Sequence, residues 1–541
     1  MAFGDLLEKV GSSGPFQFLC VLLLTAPALL IASHNLVQNF SAASPEHQCR
    51  TLVPSTNASR VGNTTVAHGE VSLALRRERC WLLAGTHRLH PRLNGSLGRA
   101  GEAQPCRDGW HYDRSTFSST IVTEWDLVCD LSTLPALAQT LFMAGVLLGA
   151  LFFGVFSDRF GRRVVLLSSL LLVAVMGTGA ALSLDFYTYC AFRLLSGIGL
   201  SGFLLNYICL EWVPTKSRAL VVTWLSYCST GGQVVLAGLA YGIRDWRWLQ
   251  LAISIPFFIF FLCAWWIPES ARWLIINHRT QTALSNLQRV ARINGKQLGR
   301  NSISLEVRRC SLTPRVPSKP YSCLGLFRTP AMRRISCCLI FSTNLAYFGL
   351  SMDLPAFGLD IFLVQTFFGA IDILAKMTCA LALNYFGRRA IQATSLILAG
   401  IFLLGNIPML MVRLTLVVLG KGCLAASSVC SYLYGGELFP TAVRQTGTGF
   451  NTVMARLGGM VAPAVLVVGE QLPFLPLLIF GVAPVMSGVT ACFLPEMRNV
   501  PLLDTVEQVE DSALGLSSGP FTPVQPGSES GLAAFSTPAP L

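Results

Sequence analysis

The stretch SDRFGRR, residues 157–163, sets three arginines and one aspartate between two long apolar runs. A second version, NYFGRR, stands at 384–389, with Asp158 and Asn384 226 positions apart. Working outward from these two turns, the flanks are strongly apolar. The 541 residues are 52% hydrophobic and 13% charged, with mean hydropathy +0.55; a soluble chain of this size carries about twice that share of charge. Runs of about 20 residues, enough to cross a hydrocarbon core roughly 30 Å thick, recur twelve times: 15–36, 134–156, 164–184, 188–210, 219–241, 249–267, 335–352, 359–383, 390–411, 413–433, 448–468 and 473–494. Only helices or closed barrels satisfy backbone polar groups in lipid, so the chain reads as an all-α polytopic membrane protein. The first run follows MAFGDLLEKV without a small-residue cleavage site, which makes it a span and not a removed signal.

The domain organisation follows from the spans. A short N-terminus, 1–14, leads into a first bundle, 15–267, which contains a large loop at 37–133. A connecting segment, 268–334, precedes the second bundle, 335–494, and a tail, 495–541, whose Ser, Pro and Gly content beyond 512 predicts disorder.

Loop charge orients the chain. Segment 268–334 holds thirteen Lys or Arg against two acids, Glu269 and Glu306, and that surplus is nearly the whole formal charge of +12. The turns at 158–163, 214–218 and 387–389 are also basic and share its side. The positive-inside rule places that side, and both termini, in the cytoplasm. A nucleic-acid patch is the weaker reading, because the arginines flank spans. The loop 37–133 faces the other way. It carries four sequons, at Asn39, Asn57, Asn63 and Asn94, which predict glycans on an exterior surface. It also holds Cys49, Cys80, Cys106 and Cys129, enough for two disulfides in any of three pairings. Its five histidines show no metal-ligand spacing and read as surface residues.

The charged turn is one of three repeated motifs. EWVPTKSR at 211–218 returns as ELFPTAVR at 437–444, and PES at 268–270 returns as PEM at 495–497. Motifs recurring in order and register mean duplication. Each half contributes six spans, so the halves are parallel and related by an axis along the membrane normal, with substrate expected between them. The repeated charges read as a cytoplasmic latch: Asp158, Arg159, Arg162, Arg163, Glu211 and Arg218 in one half, Arg388, Arg389, Glu437 and Arg444 in the other. Ion pairs among them would hold the inner side shut and break as the halves rock. Plain topology anchoring needs only the arginines, and the repetition of the acids favours the latch. Gly154 and Gly161 are read as permitting close approach and a tight turn.

GIGLSG at 197–202 matches a dinucleotide fingerprint, but it lies inside an apolar span without the strand that motif requires, and small residues there suit helix packing. No phosphate-binding loop with Gly-Lys-Ser/Thr and no H-E-x-x-H occurs. No cofactor, resident metal or enzymatic activity is indicated.

Charge inside the membrane is the strongest site signal, since a cation at a helix centre costs roughly 2.5–3.5 kcal/mol and turns to a cavity or a partner. Lys376 lies deep in the eighth span, with Asp372 one turn away as a possible neutralising partner. Arg456, in FNTVMARLGG, has no acid within a turn and is the better candidate for substrate. Arg193 and Lys421 read as structural pins.

At this point GVFSDRFGRR, FRLLSGIGLSG and PESARWL resemble the major facilitator superfamily. DGWHYDRSTFSSTIVTEWDLVCD and LGKGCLAASSVCSYLYGGELFPTAVRQTG narrow the resemblance to the organic anion transporters of the organic-ion solute-carrier family, over nearly everything but the tail. The resemblance implies the major facilitator fold, twelve transmembrane helices in two pseudo-symmetric six-helix bundles. It implies anion recognition by Lys376 and Arg456, where the cation-carrying branch typically has an acid at the second position. It implies cavity positions at Tyr347, Phe348 and Tyr432 and a polar position at Asn35, although ordinary packing explains each aromatic nearly as well. At 229 this chain has Ser where relatives often carry tyrosine. The activity implied is alternating-access transport of amphipathic organic anions, aromatic carboxylates and sulfate conjugates across the plasma membrane, in exchange for intracellular dicarboxylate. The alternatives are an organic cation or zwitterion carrier of the same family, a channel, and a non-transporting receptor.

Overall fold

The computed structural model describes residues 6–7, 10–11, 14–50, 80–83, 103–106, 109–205, 212–213, 215–296, 338–354, 360–405, 413–439, 444–469, 472 and 474–497. Helices stand at each of the twelve apolar runs, and among the described residues nine are long and apolar enough to cross a membrane. The first six are α1 (Pro15–Leu36), α2 (Leu134–Phe160), α3 (Arg162–Ala181), α4 (Phe186–Leu205), α5 (Thr215–Gly242) and α6 (Trp246–Ala264). The second six are α7 (Cys338–Met352), α8 (Ile361–Tyr385), α9 (Arg388–Gly405), α10 (Arg413–Leu438), α11 (Arg444–Gly469) and α12 (Leu475–Ala491). Within α6 the helix breaks at Ile255, because Pro256 has no N–H to continue the ladder.

The packing repeats as the sequence does. In the first half α2 and α3 pack on α4, α5 on α1, and α6 on α3. Six helices later α8 and α9 pack on α10, α11 on α7, and α12 on α9. The halves meet through α2 with α11 and α5 with α8, two pairings that exchange under the same six-helix shift. Small residues set the spacing: a Cβ on Gly197 would lie 2.3 Å from the Phe142 carbonyl oxygen, and one on Gly145 2.1 Å from that of Leu194. GIGLSG is therefore a packing surface of α4. Gly154, by contrast, faces open space, so its expected close approach is not found.

The charged turns start α3 and α9, whose first amides have no partner inside the helix. Glu269, from the PES that follows α6, accepts from the amides of Arg162 (2.9 Å) and Arg163 (3.1 Å). Glu496, from the PEM that follows α12, accepts from Arg388 (2.8 Å) and Arg389 (3.1 Å) in the same way. A carboxylate there also meets the positive end of the helix dipole. Gly161, at φ +105°, and Gly387 leave room for these acids; a Cβ at either would sit 2.4 or 2.1 Å from a carboxylate oxygen. The turn is repeated because the seat for this carboxylate is repeated.

The guanidinium groups add contacts within the same half. Arg162 donates to Ser157 Oγ, Arg163 to the Trp265 carbonyl at 2.7 Å, and Arg159 lies over the Phe160 ring. Arg388 forms a two-pronged pair with Glu437 at 3.0 and 3.2 Å, joining α9 to α10. The side chains of Asp158, Arg218 and Arg444, and all of Glu211, lie outside the described residues.

The 37–133 loop departs from an all-helical expectation. Its described parts form two short antiparallel pairings, β1 (His47–Cys49) with β4 (Trp110–Tyr112) and β2 (Trp81–Leu83) with β3 (Ala103–Pro105). Of the three possible disulfide pairings the structure has Cys49–Cys106 and Cys80–Cys129. Asn57, Asn63, Asn94 and the tail from 498 lie outside the described residues. On the opposite face, Thr280–Ile293 is an amphipathic helix that buries Ala283, Leu287, Val290 and Ala291 at helical spacing.

Candidate functional site

On the side of the 37–133 loop the two halves close on each other. Phe362 of α8 stacks on Phe40 at 5.5 Å and also meets Phe117 and Tyr241, all three from the first half. Asn39 donates to the Ser351 carbonyl at 2.7 Å, across the seam, and to Gln365 Oε1 at 3.4 Å. Asn39 was expected to carry a glycan. In this conformation its side-chain nitrogen is bonded in the seam, and Phe40 and Ser41 of the same sequon are buried.

Deeper in the membrane, four helices bring charge together. Asp372 of α8 is fully buried, and its Oδ2 accepts from the Tyr347 hydroxyl of α7 and from Gln233 of α5 at 3.3 Å. Its ion-pair partner is Lys421 of α10, at 3.7 Å, which also donates to Ser351 and lies 3.7 Å above the Tyr347 ring. Lys376 is not neutralised by Asp372, although the two are one turn apart. Lys376 instead donates to Thr230 Oγ1 at 2.6 Å and Ser226 Oγ at 3.5 Å, hydroxyls of α5 across the seam. The i,i+4 pair offered by the sequence loses because α10 presents a nearer, more buried ammonium to the same carboxylate. Lys421 thus takes the acid, which leaves Lys376 without an ion-pair partner among the described residues.

Arg456 of α11 is half-buried, and among the described residues it has neither hydrogen bond nor ion pair; its charge acts on the Tyr432 phenol of α10. Tyr432 is 50% exposed. Phe348 lies edge-on to Tyr347 at 5.6 Å and reaches the apolar core of the first half. Asn35 of α1 keeps a buried Oδ1 without a hydrogen-bond partner, while its carbonyl accepts from Gln139. Tyr347 commits its hydroxyl to Asp372 and one face of its ring to Lys421.

Arg193 behaves as the pin it was read to be. It is fully buried, donates to the His34 carbonyl at 3.2 Å and Gln139 Oε1 at 3.1 Å, and lies 4.1 Å over the Phe142 ring. It therefore ties α4 to α1 and α2. Sequence reasoning missed Glu269, Glu496, Gln233 and Thr230 as partners. The only signal for the first two was the repeated PE dipeptide, and neither polar residue of α5 carried one.

Residues 117–498 match the family model described as Major Facilitator Superfamily. Solute carrier family 22 member 6 of Danio rerio is 47% identical over 545 residues, covering 97% of each chain. Organic anion transporter 3 of Homo sapiens is 45% identical, covering 95% of this chain and 94% of that one. The chain belongs to the organic anion transporter branch of solute carrier family 22, in the major facilitator superfamily. Among solved structures, the xylose transporter XylE from E. coli in an inward open conformation superposes with TM-score 0.61 at 16% identity, over 91% of this chain and 99% of that one. That likeness shows the fold alone; the family is one of multi-pass membrane transporters, not enzymes.

The carrier has a cavity of about 620 Å³ on the loop side of the seam, bordered by Asn39, His47, Gln139, Asp353 and Arg413. Burial pushes the Asp353 carboxyl up to about 7, and the Arg413 charge opposes that shift. An acid whose folded pKa exceeds its unfolded value, about 3.9, favours the folded state in its protonated form. That contribution is complete below about 4, declines as pH rises, and is gone above about 7. Raising the pH from 5 to 8 is expected to lower the carrier's melting temperature by several degrees more than that of Asp353→Asn. Equal slopes for the two would show the carboxyl to be solvated.

Proposed function

We propose that this protein is a secondary active carrier of amphipathic organic anions, chiefly aromatic carboxylates and sulfate conjugates, working by alternating access at the plasma membrane. The observation that carries this reading is the pair of half-buried cations, Lys376 on hydroxyls of α5 across the seam and Arg456 of α11, that no carboxylate among the described residues neutralises, with Phe348 reaching from α7 to the core of the first half. Aromatic side chains supply apolar burial for a ring, and a guanidinium supplies two parallel donors to a carboxylate. The names of its relatives support the same substrate class. A cation or zwitterion carrier is disfavoured, because Asp372, the buried acid at the seam, already has Lys421 and two hydrogen-bond donors.

The disulfide-bonded loop is the extracellular side in this reading, and the basic turns and both termini are cytoplasmic. The turns would approach one another when the inner side closes, with Arg159, Arg163 and Arg389 free to change partners. Intracellular dicarboxylate is the proposed counter-substrate. Uptake of a labelled aromatic carboxylate into cells expressing the chain should be saturable, and faster when the cells are preloaded with a dicarboxylate. No uptake above empty cells would defeat the carrier assignment. Saturable uptake indifferent to preloading would defeat the exchange.

A further inference from the structure

Two lysines, Lys376 and Lys421, share one buried acid, Asp372, at the seam between the halves. The arrangement is unequal. Lys421 is fully buried and takes the ion pair, whereas Lys376 is half-buried and rests on uncharged hydroxyls of α5. Asp372 keeps its second oxygen, Oδ1, without a hydrogen-bond partner, and its charge still acts on Lys376 one turn away. The cluster therefore carries a net single positive charge, presented by the more exposed ammonium. A pair whose only task was to join α8 to α10 would be replaceable by apolar side chains at little cost. This pair is held across the seam as well, because Gln233 of α5 donates to both the carboxylate and the Tyr347 hydroxyl.

We propose that Asp372 is a specificity-determining residue that sets how many negative charges the carrier accepts on one substrate. By cancelling Lys421 it limits the cluster to one charge, enough for one carboxylate. The second charge of a dicarboxylate, the proposed counter-substrate, then falls to Arg456 of α11 and not to this cluster. Removing the acid would offer that second charge an additional cation in a poorly solvated site, where unit charges interact strongly. Asp372 itself need not touch substrate; it acts through the two lysines. This inference rests on the anion-carrier reading above and would fall with it.

The test is the ratio of dicarboxylate to aromatic monocarboxylate uptake, measured on the same cells so that surface abundance cancels. Asp372→Asn, which raises the cluster to two positive charges, should increase the ratio by at least about tenfold. Lys421→Gln, which brings the cluster to zero, should decrease it by a similar factor. The double variant, Asp372→Asn with Lys421→Gln, restores one positive charge and should return the ratio to within about twofold of wild type. A ratio that stays at the wild-type value in either single variant overturns the proposal, as does a double variant whose ratio departs further than both singles. It is also overturned if neither single variant reaches the surface while the double variant does, since the pair is then a structural pin. Wild-type cells that take up neither anion would instead refute the carrier assignment, so the two failures are distinct.

Discussion

Replacing Arg456 with alanine is expected to reduce the uptake efficiency for an aromatic carboxylate by about 10- to 150-fold, with surface abundance unchanged. The range follows from the worth of hydrogen bonds to a charged group, about 1.5–3 kcal/mol. Surface abundance is preserved because Arg456 makes no hydrogen bond or ion pair among the described residues that its removal would break. Arg456→Lys keeps the charge but loses the planar fork, so its uptake should fall between wild type and Arg456→Ala. Labelled uptake normalised to surface-biotinylated protein checks both. Wild-type kinetics in Arg456→Ala would mean that the guanidinium faces lipid or water and not substrate.

Arg193→Ala should do the opposite: abundance collapses before any transport defect can be measured. The side chain is fully buried, fills space over Phe142, and satisfies both the His34 carbonyl and Gln139 Oε1. Truncation opens a cavity and strands two buried acceptors, together costing about 3–5 kcal/mol. Against a total stability of roughly 5–15 kcal/mol, that is enough to divert most of the chain from the surface. Surface biotinylation and the melting temperature of purified protein report it. A variant that reaches the surface normally, melts as wild type does and fails only in transport would move Arg193 from the scaffold to the substrate. The two arginines look alike in sequence, each a lone cation in an apolar span, and what distinguishes them is whether the protein itself uses their donors.

Much of the molecule was legible before any coordinates. Span number and extent come from runs of apolar residues, a local property that the bilayer reads directly. The 226-residue repeat foretold the matching packing of the two halves, because the same local sequence makes the same turn and the same helix start. The candidate cations were also visible, since an ionised group in an apolar run is rare whatever surrounds it.

Pairing was not legible. The sequence offered Lys376 to Asp372 because they are neighbours on one helix, yet Lys421, 49 positions further on, takes the acid. Beyond the repeated PE dipeptide, it gave no hint that Glu269 and Glu496, from beyond the sixth and twelfth spans, seat on the first amides of the charged turns. It did not show that the Asn39 amide reaches the far half of the molecule. In each case the outcome depends on which face of a helix meets which neighbour, and on distances between groups remote along the chain. Hydropathy and motif spacing along one strand of sequence therefore determine where the helices are and which residues are chargeable. Only the packed arrangement decides which charges are cancelled, and so which remain for a ligand.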